Sequence, residues 1–157
     1  MSTSTDGQIC FGVLIEEDAD FPWEDEEWDG DIEDWWLRGV HGYKPPFEMF
    51  DEYGEWIGGQ RWPDEKREVY YRVKREFREA HPLPIELVNY CSAEYPMYII
   101  AIPESCLTAN RGYPKEFGPN LVDRDVSNWC VILKHFCKAY GIEYKGDPTW
   151  WLSSYWG

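Results

Sequence analysis

Residues 8–15 read QICFGVLI, an unbroken apolar run rich in β-branched and aromatic side chains. Its length and composition predict a buried strand. Working outward from it, the next strong signal is DEKREVYYRVKREFREA at 64–80, where Val69, Val73, Phe77 and Ala80 fall on one stripe of a helix. Pro63 stands where helices commonly begin, acids open the segment, and His81-Pro82-Leu83-Pro84 ends it. Two strands are predicted next, Ile85 to Tyr90 and Met97 to Ile102, joined by residues 91–96. A second helix is predicted over 126–140, with Asp125 as its cap, Gly141 as its stop, and an apolar face of Val126, Trp129, Cys130, Leu133, Phe136, Cys137 and Tyr140. The tail TWWLSSYWG, 149–157, reads as a last strand or a segment packed on the sheet.

The order strand, helix, strand, strand, helix, strand predicts an α+β fold. We expect an antiparallel sheet with two main helices packed on one face, in the ferredoxin-like (split βαβ) manner. All 157 residues read as a single domain, with an acidic, aromatic-rich insertion at 16–63 after the first strand. Within that insertion, one or two helical turns are expected over 31–38. A small hairpin is expected around Asp51-Glu52-Tyr53-Gly54, and 103–124 read as irregular.

Bulk properties fit a folded domain. Hydrophobic residues make up 43% and aromatics 18%, including ten Trp and eleven Tyr, far from the composition of a disordered chain. No apolar run reaches 18 residues, so no membrane span is expected. MSTSTDGQ lacks the basic and apolar regions of a secretory leader. The five cysteines, Cys10, Cys91, Cys106, Cys130 and Cys137, form no dense framework and read as free thiols of a reducing compartment.

Charge is distributed unevenly. The formal net is −15, from 30 acids and 15 bases. Residues 1–37 hold thirteen acids and no Lys or Arg, so the remainder is close to neutral. Such a field repels nucleic acid and anionic membranes and attracts a basic surface. Trp23, Glu24, Asp25, Glu26, Glu27, Trp28, Asp29, Asp31, Trp35 and Trp36 are therefore the candidate partner-binding residues. Charge would steer the encounter and the indoles would anchor it. The competing reading is a solvated acidic loop that pairs with the protein's own basic helix, which carries Lys66, Arg67, Arg72, Lys74, Arg75 and Arg78. A calcium loop fits poorly. Asp25, Glu27, Asp29, Gly30 and Ile32 match its early positions, but the twelfth, where a bidentate Glu belongs, is Trp36.

No catalytic residue, metal site or cofactor is assigned. The chain has no nucleophile elbow, no phosphate-binding glycine loop and no closely spaced Cys/His set. His41, His81 and His135 have no local nucleophile signature. A small-ligand or nucleotide-binding (sequestering) site is the alternative, and an enzyme with an unrecognised site is the third reading. Asn89, Ser92, Tyr95, Arg111 and Ser154, with Ser105, Asn110, Ser153 and Tyr155, place polar groups near strand ends and aromatics. The competing reading is that these are turn residues satisfying backbone groups.

The segments NYCSAEYPMYIIAIPES (89–105), RGYP (111–114) and WWLSSYWG (150–157) resemble those of small uncharacterised proteins of tailed bacteriophages. The resemblance implies an accessory protein of the host cell cytoplasm, acting against host machinery or defence by stoichiometric inhibition or sequestration. It carries no catalytic motif.

Overall fold

The computed structural model describes residues 5–27, 31–49, 62–92, 94, 96–118, 121 and 123–156. Chain contacts divide it into two compact units, Met1–Phe21 with Pro84–Gly157, and Pro22–Leu83. The second unit takes in the 64–80 helix as well as most of the segment expected as an insertion.

The first unit is a five-stranded sheet with one long helix. Its strands are β1 (Thr5–Ile15), β2 (Glu86–Ser92), β3 (Pro96–Ala101), β4 (Leu107–Ala109) and β5 (Tyr144–Trp156). β1 is central. β5 runs antiparallel along one edge of it, from Thr5↔Trp156 to Ile15↔Tyr144. Its other edge is shared by β4, through Gly7↔Ala109 to Ile9↔Leu107, and β3, through Gly12↔Ala101 to Leu14↔Ile99. β2 pairs antiparallel with β3. β3 thus lies between β1 and β2, and β1 between β3 and β5, in a mixed α+β fold. The sheet departs from the expected all-antiparallel form at one place. Cys91 and Ser92 pair in parallel with Tyr155 and Trp156, so the circuit of pairings runs from β1 through β3, β2 and β5 back to β1.

Side chains alternate across a strand, and β1 is buried on both faces. Phe11, Val13 and Ile15 face the helix α3 (Ser127–Tyr140), whose Trp129, Leu133, Phe136 and Cys137 are buried. Phe11 meets Trp129 at 5.7 Å and Trp150 at 5.5 Å between ring centroids. Val126, not the expected Asp125, occupies the cap position of α3; Asp125 stands one residue earlier and accepts from the Ser127 N–H, and Gly141 closes the helix in the left-handed conformation. The other face of β1 presents Cys10, Gly12 and Leu14, and there Cys10, Val88, Ile99 and Ala101 form a second buried cluster.

Two elements differ from expectation. β4 lies within the stretch read as irregular. It is three residues long and is held by its ladder to β1, not by an apolar run. β5 begins five residues before the expected tail strand. Gly12 pairs with Thr149 but Leu14 with Lys145, so β5 bulges between them, and Gly146 supplies the positive φ of 70° that the bulge contains.

The second unit holds α1 (Ile32–Asp34, continued as a π-turn over Trp35–Val40) and α2 (Asp64–Ala80). Its buried side chains include Trp23, Trp35, Trp36, Leu37, Tyr43 and Trp62. Val69, Val73 and Phe77 lie on the half-buried stripe of α2. The expected hairpin at 51–54 lies outside the described residues.

Candidate functional site

The face of the sheet opposite α3 carries the candidate site, and strand alternation decides which side chains reach it. Register pairs place Leu14 of β1, Trp151 and Ser153 of β5, Tyr90 and Ser92 of β2, and Met97 and Ile99 of β3 on this one face. Together with Cys91, Leu152 and Ser154 they line an open cleft of about 960 Å³. Leu14, Tyr90, Met97, Ile99 and Trp151 supply an apolar floor, and the serines supply hydroxyls at its border. None of the described lining residues carries a formal charge.

Several features hold the cleft in shape. The Trp151 indole N–H donates to the Gly12 carbonyl at 3.0 Å, which fixes the ring against β1. Burial, followed by the nearby Cys91 and Glu17, pushes the Tyr90 phenol up from its ordinary range, so it stays a neutral donor at physiological pH. Cys91 has φ 77°, the one positive value on a non-glycine among the described residues. That left-handed conformation costs about 1–2 kcal/mol for a side chain with a Cβ. The strain falls on the cleft border, where β2 turns to meet β5.

A second, smaller recess of about 240 Å³ opens on the same face, lined by Gln8, Cys10, Glu86, Val88, Cys106, Thr108 and Tyr155 with flanking residues. Gln8 pairs with Ser153 across β1 and β5, one lining each cavity. Gln8 Oε1 and Ser153 Oγ are both buried without a hydrogen-bond partner among the described residues. Buried polar groups are normally satisfied, so this pair has unmet hydrogen-bonding capacity. In the recess, the Cys106 thiol donates to the Ile102 carbonyl at 3.4 Å and lies beside the Cys10 sulfur. The neighbouring Cys106 lowers the Cys10 pKa, against the opposing effects of burial and Glu86, and the Cys106 pKa is raised in turn.

The structure sorts the sequence-derived ligand candidates. Ser92 and Ser154 come together at the larger cleft, and Asn89 borders the smaller recess. Tyr95 lies outside the described residues. Arg111 lines neither cavity, and its backbone N–H donates to the Asp6 carboxylate at 3.0 Å. The apolar floor was missed. Its signal was the alternation at 90/92, 97/99 and 151/153, which places each pair on one face of its own strand.

The partner-binding candidates divide differently. Glu24, Asp25, Glu26 and Glu27 are exposed. Trp23 is only 2% exposed, Trp35 6% and Trp36 9%. Trp23 packs on Trp35 at 5.2 Å, and Trp36 donates its indole N–H to the His81 carbonyl. This changes the sequence reading of these three indoles as surface anchors: they are interior packing. Asp31 caps α1 by accepting from the Asp34 N–H at 2.9 Å. Asp34 pairs with Arg38 at 2.7 Å and Lys74 at 3.7 Å, and Glu33 with Arg78 at 3.4 Å. Part of the acidic segment therefore pairs with the basic helix, as the competing reading expected. Trp28 and Asp29 lie outside the described residues.

Among the described residues no group of three or more His, Cys, Asp or Glu is arranged to hold a metal ion. No helix among them is long and apolar enough to cross a membrane. Comparison with protein-family models, curated proteins and solved structures finds no match for this chain.

Proposed function

We propose that this protein binds a small, neutral, largely apolar molecule in the larger cleft and holds it stoichiometrically. The observation that carries the reading is the composition of one sheet face: five apolar or aromatic side chains as a floor, serines at the border, and no charge. Ligand sites in proteins are commonly clefts of about 300–1,000 Å³ with mostly apolar walls and a few polar groups that fix orientation. A phosphate or carboxylate placed here would lose its hydration without a cationic partner. The unmet Ser153 hydroxyl favours a ligand that carries at least one hydrogen-bonding group. The side chains at the cleft include no histidine or carboxylate to serve as a general base, which favours sequestration over turnover.

The test uses N-phenyl-1-naphthylamine, a neutral aromatic amine with one N–H, whose fluorescence rises in apolar surroundings. We expect saturable enhancement at one probe per chain, unchanged between about 0.05 and 0.5 M salt because no exposed charge is involved. Met97→Glu should abolish it while leaving the circular dichroism spectrum intact. Absence of saturable enhancement with the folded protein would sink the proposal.

A second reading rests on the exposed Glu24–Glu27 run. Four adjacent solvated carboxylates form a surface suited to a basic patch on another protein, as the bacteriophage resemblance would have it for a host target. Its test is retention of a lysate protein by the natural chain but not by a variant with Gln and Asn at 24–27. Retention that survives the substitution, or ignores salt, would remove this reading.

A further inference from the structure

We propose that Cys10 and Cys106 are a disulfide-forming pair, oxidised in the small polar recess by a hydroperoxide to a reversible link between β1 and the start of β4. The ladder between these strands ends at Ile9↔Leu107, and one further step places Cys10 opposite Cys106. Phe11 directs its N–H to Ser105 Oγ and its carbonyl to the Ile102 N–H, so odd residues of β1 bond toward this edge. Cys10 therefore occupies a non-hydrogen-bonded position, where facing Cα atoms approach to about 4.5 Å. Cα separations of about 4.4–6.8 Å are those a disulfide spans. Cys106 is extended there, at φ −78° and ψ 127°, as the pairing needs.

The surroundings select both the pair and the oxidant. Cys10 is 1% exposed, but both thiols line the recess of about 240 Å³ with Gln8, Glu86 and Thr108. A water-sized polar molecule such as hydrogen peroxide fits such a space, since one water takes about 30 Å³ of liquid. The neighbouring Cys106 lowers the Cys10 pKa, which favours the thiolate, the reactive form. Cys130 and Cys137 are seven positions apart on α3, about 10 Å along its axis, and cannot bridge.

The chemistry balances. The Cys10 thiolate attacks one oxygen of the peroxide, the O–O bond breaks, and Cys10 becomes a sulfenic acid as hydroxide leaves. Cys106 gives up its proton and its sulfur attacks Cys10 Sγ. The S–S bond forms, the S–O bond breaks, and the second oxygen leaves as water. Counting the proton that Cys10 released, two thiols lose two electrons and two protons while one peroxide becomes two waters.

The test uses Cys91→Ser, which removes the exposed thiol. The folded, reduced variant is treated with a molar excess of hydrogen peroxide, quenched, denatured and titrated for thiols. We expect the count to fall from four to two and to return with dithiothreitol. Mass spectrometry should show peptides containing residues 10 and 106 linked, with two hydrogens lost. Adding Cys106→Ser should abolish the link. Four surviving thiols, sulfinic or sulfonic acid without a link, or equal linking when peroxide is added to the denatured chain would each overturn the assignment.

Discussion

The imidazoles of His41 and His81 stack with centroids 4.5 Å apart and planes 24° apart. His41 follows the π-turn of α1 and His81 follows α2, so the stack joins two helix ends within the second unit. Trp36 meets the His41 ring edge-on at 4.5 Å, and Phe77 packs on His81 at 4.4 Å. Burial, and then the neighbouring His81, lowers the His41 pKa. A base with a lowered folded pKa binds fewer protons folded than unfolded, so stability rises with pH through that window. The contribution is full above the unfolded histidine pKa of about 6.5 and is lost as pH falls toward the lowered folded value. Urea midpoints between about pH 8 and 5 should therefore fall more steeply for the natural chain than for His41→Gln. Parallel curves would rule out the linkage.

Ser105 is fully buried and joins the 3₁₀ turn Pro103–Ser105 to β1. Its Oγ accepts from the Phe11 N–H at 2.9 Å and donates to the Ile102 carbonyl at 2.6 Å. Ser105→Ala leaves a buried backbone donor unsatisfied, which costs about 1–3 kcal/mol. The expected result is a lower denaturation midpoint with an unchanged slope. Retention of the full midpoint would mean that another acceptor replaces the hydroxyl.

The elements legible in the sequence were those with their own periodicity. QICFGVLI gave β1, the Val69-Val73-Phe77 stripe gave α2, and the Trp129-Leu133-Phe136 face gave α3. β4 is too short to carry a pattern, and its stability comes from β1, about a hundred residues earlier. Gly146 lies ahead of the expected tail strand, yet its positive φ lets β5 bulge and continue. The cleft was half legible for the same reason. Ser92 and Ser154 were identifiable as polar groups at strand ends, but the pairings that gather Leu14, Met97 and Trp151 join distant parts of the chain. In the acidic segment the aromatic density was plain. Its direction was not, because tertiary packing decides whether an indole faces in or out.

That direction separates two kinds of substitution in the second unit. Trp23→Ala removes a buried indole packed at a tilt against Trp35, and such truncations cost about 3–5 kcal/mol. Changing Glu24, Asp25, Glu26 and Glu27 one at a time to their amides alters exposed groups, with effects within about 0.5 kcal/mol each. Chemical denaturation followed by tryptophan fluorescence compares the two series. A Trp23→Ala chain as stable as the natural one would contradict the interior packing of this residue.

Adding a side chain at Gly12 and removing the one at Cys91 should change stability in opposite directions. A Cβ at Gly12 would stand 2.7 Å from Ile99 Cγ2 and 2.9 Å from the Ala101 Cα, with the Ile100 carbonyl closer still. Those are mainly backbone contacts of the neighbouring strand, which cannot rotate away. Gly12→Ala should therefore force β1 and β3 apart at an overpacking cost of about 1–3 kcal/mol. At Cys91 the backbone already lies in the left-handed region, so Cys91→Gly relieves strain while adding freedom to the unfolded chain. Relief of about 1–2 kcal/mol exceeds an unfolded-state cost of about 0.4–1 kcal/mol, leaving a small net gain. Thermal unfolding of both variants reads the signs directly. A destabilised Cys91→Gly chain would mean that the exposed thiol makes a contact worth more than the strain it sits on.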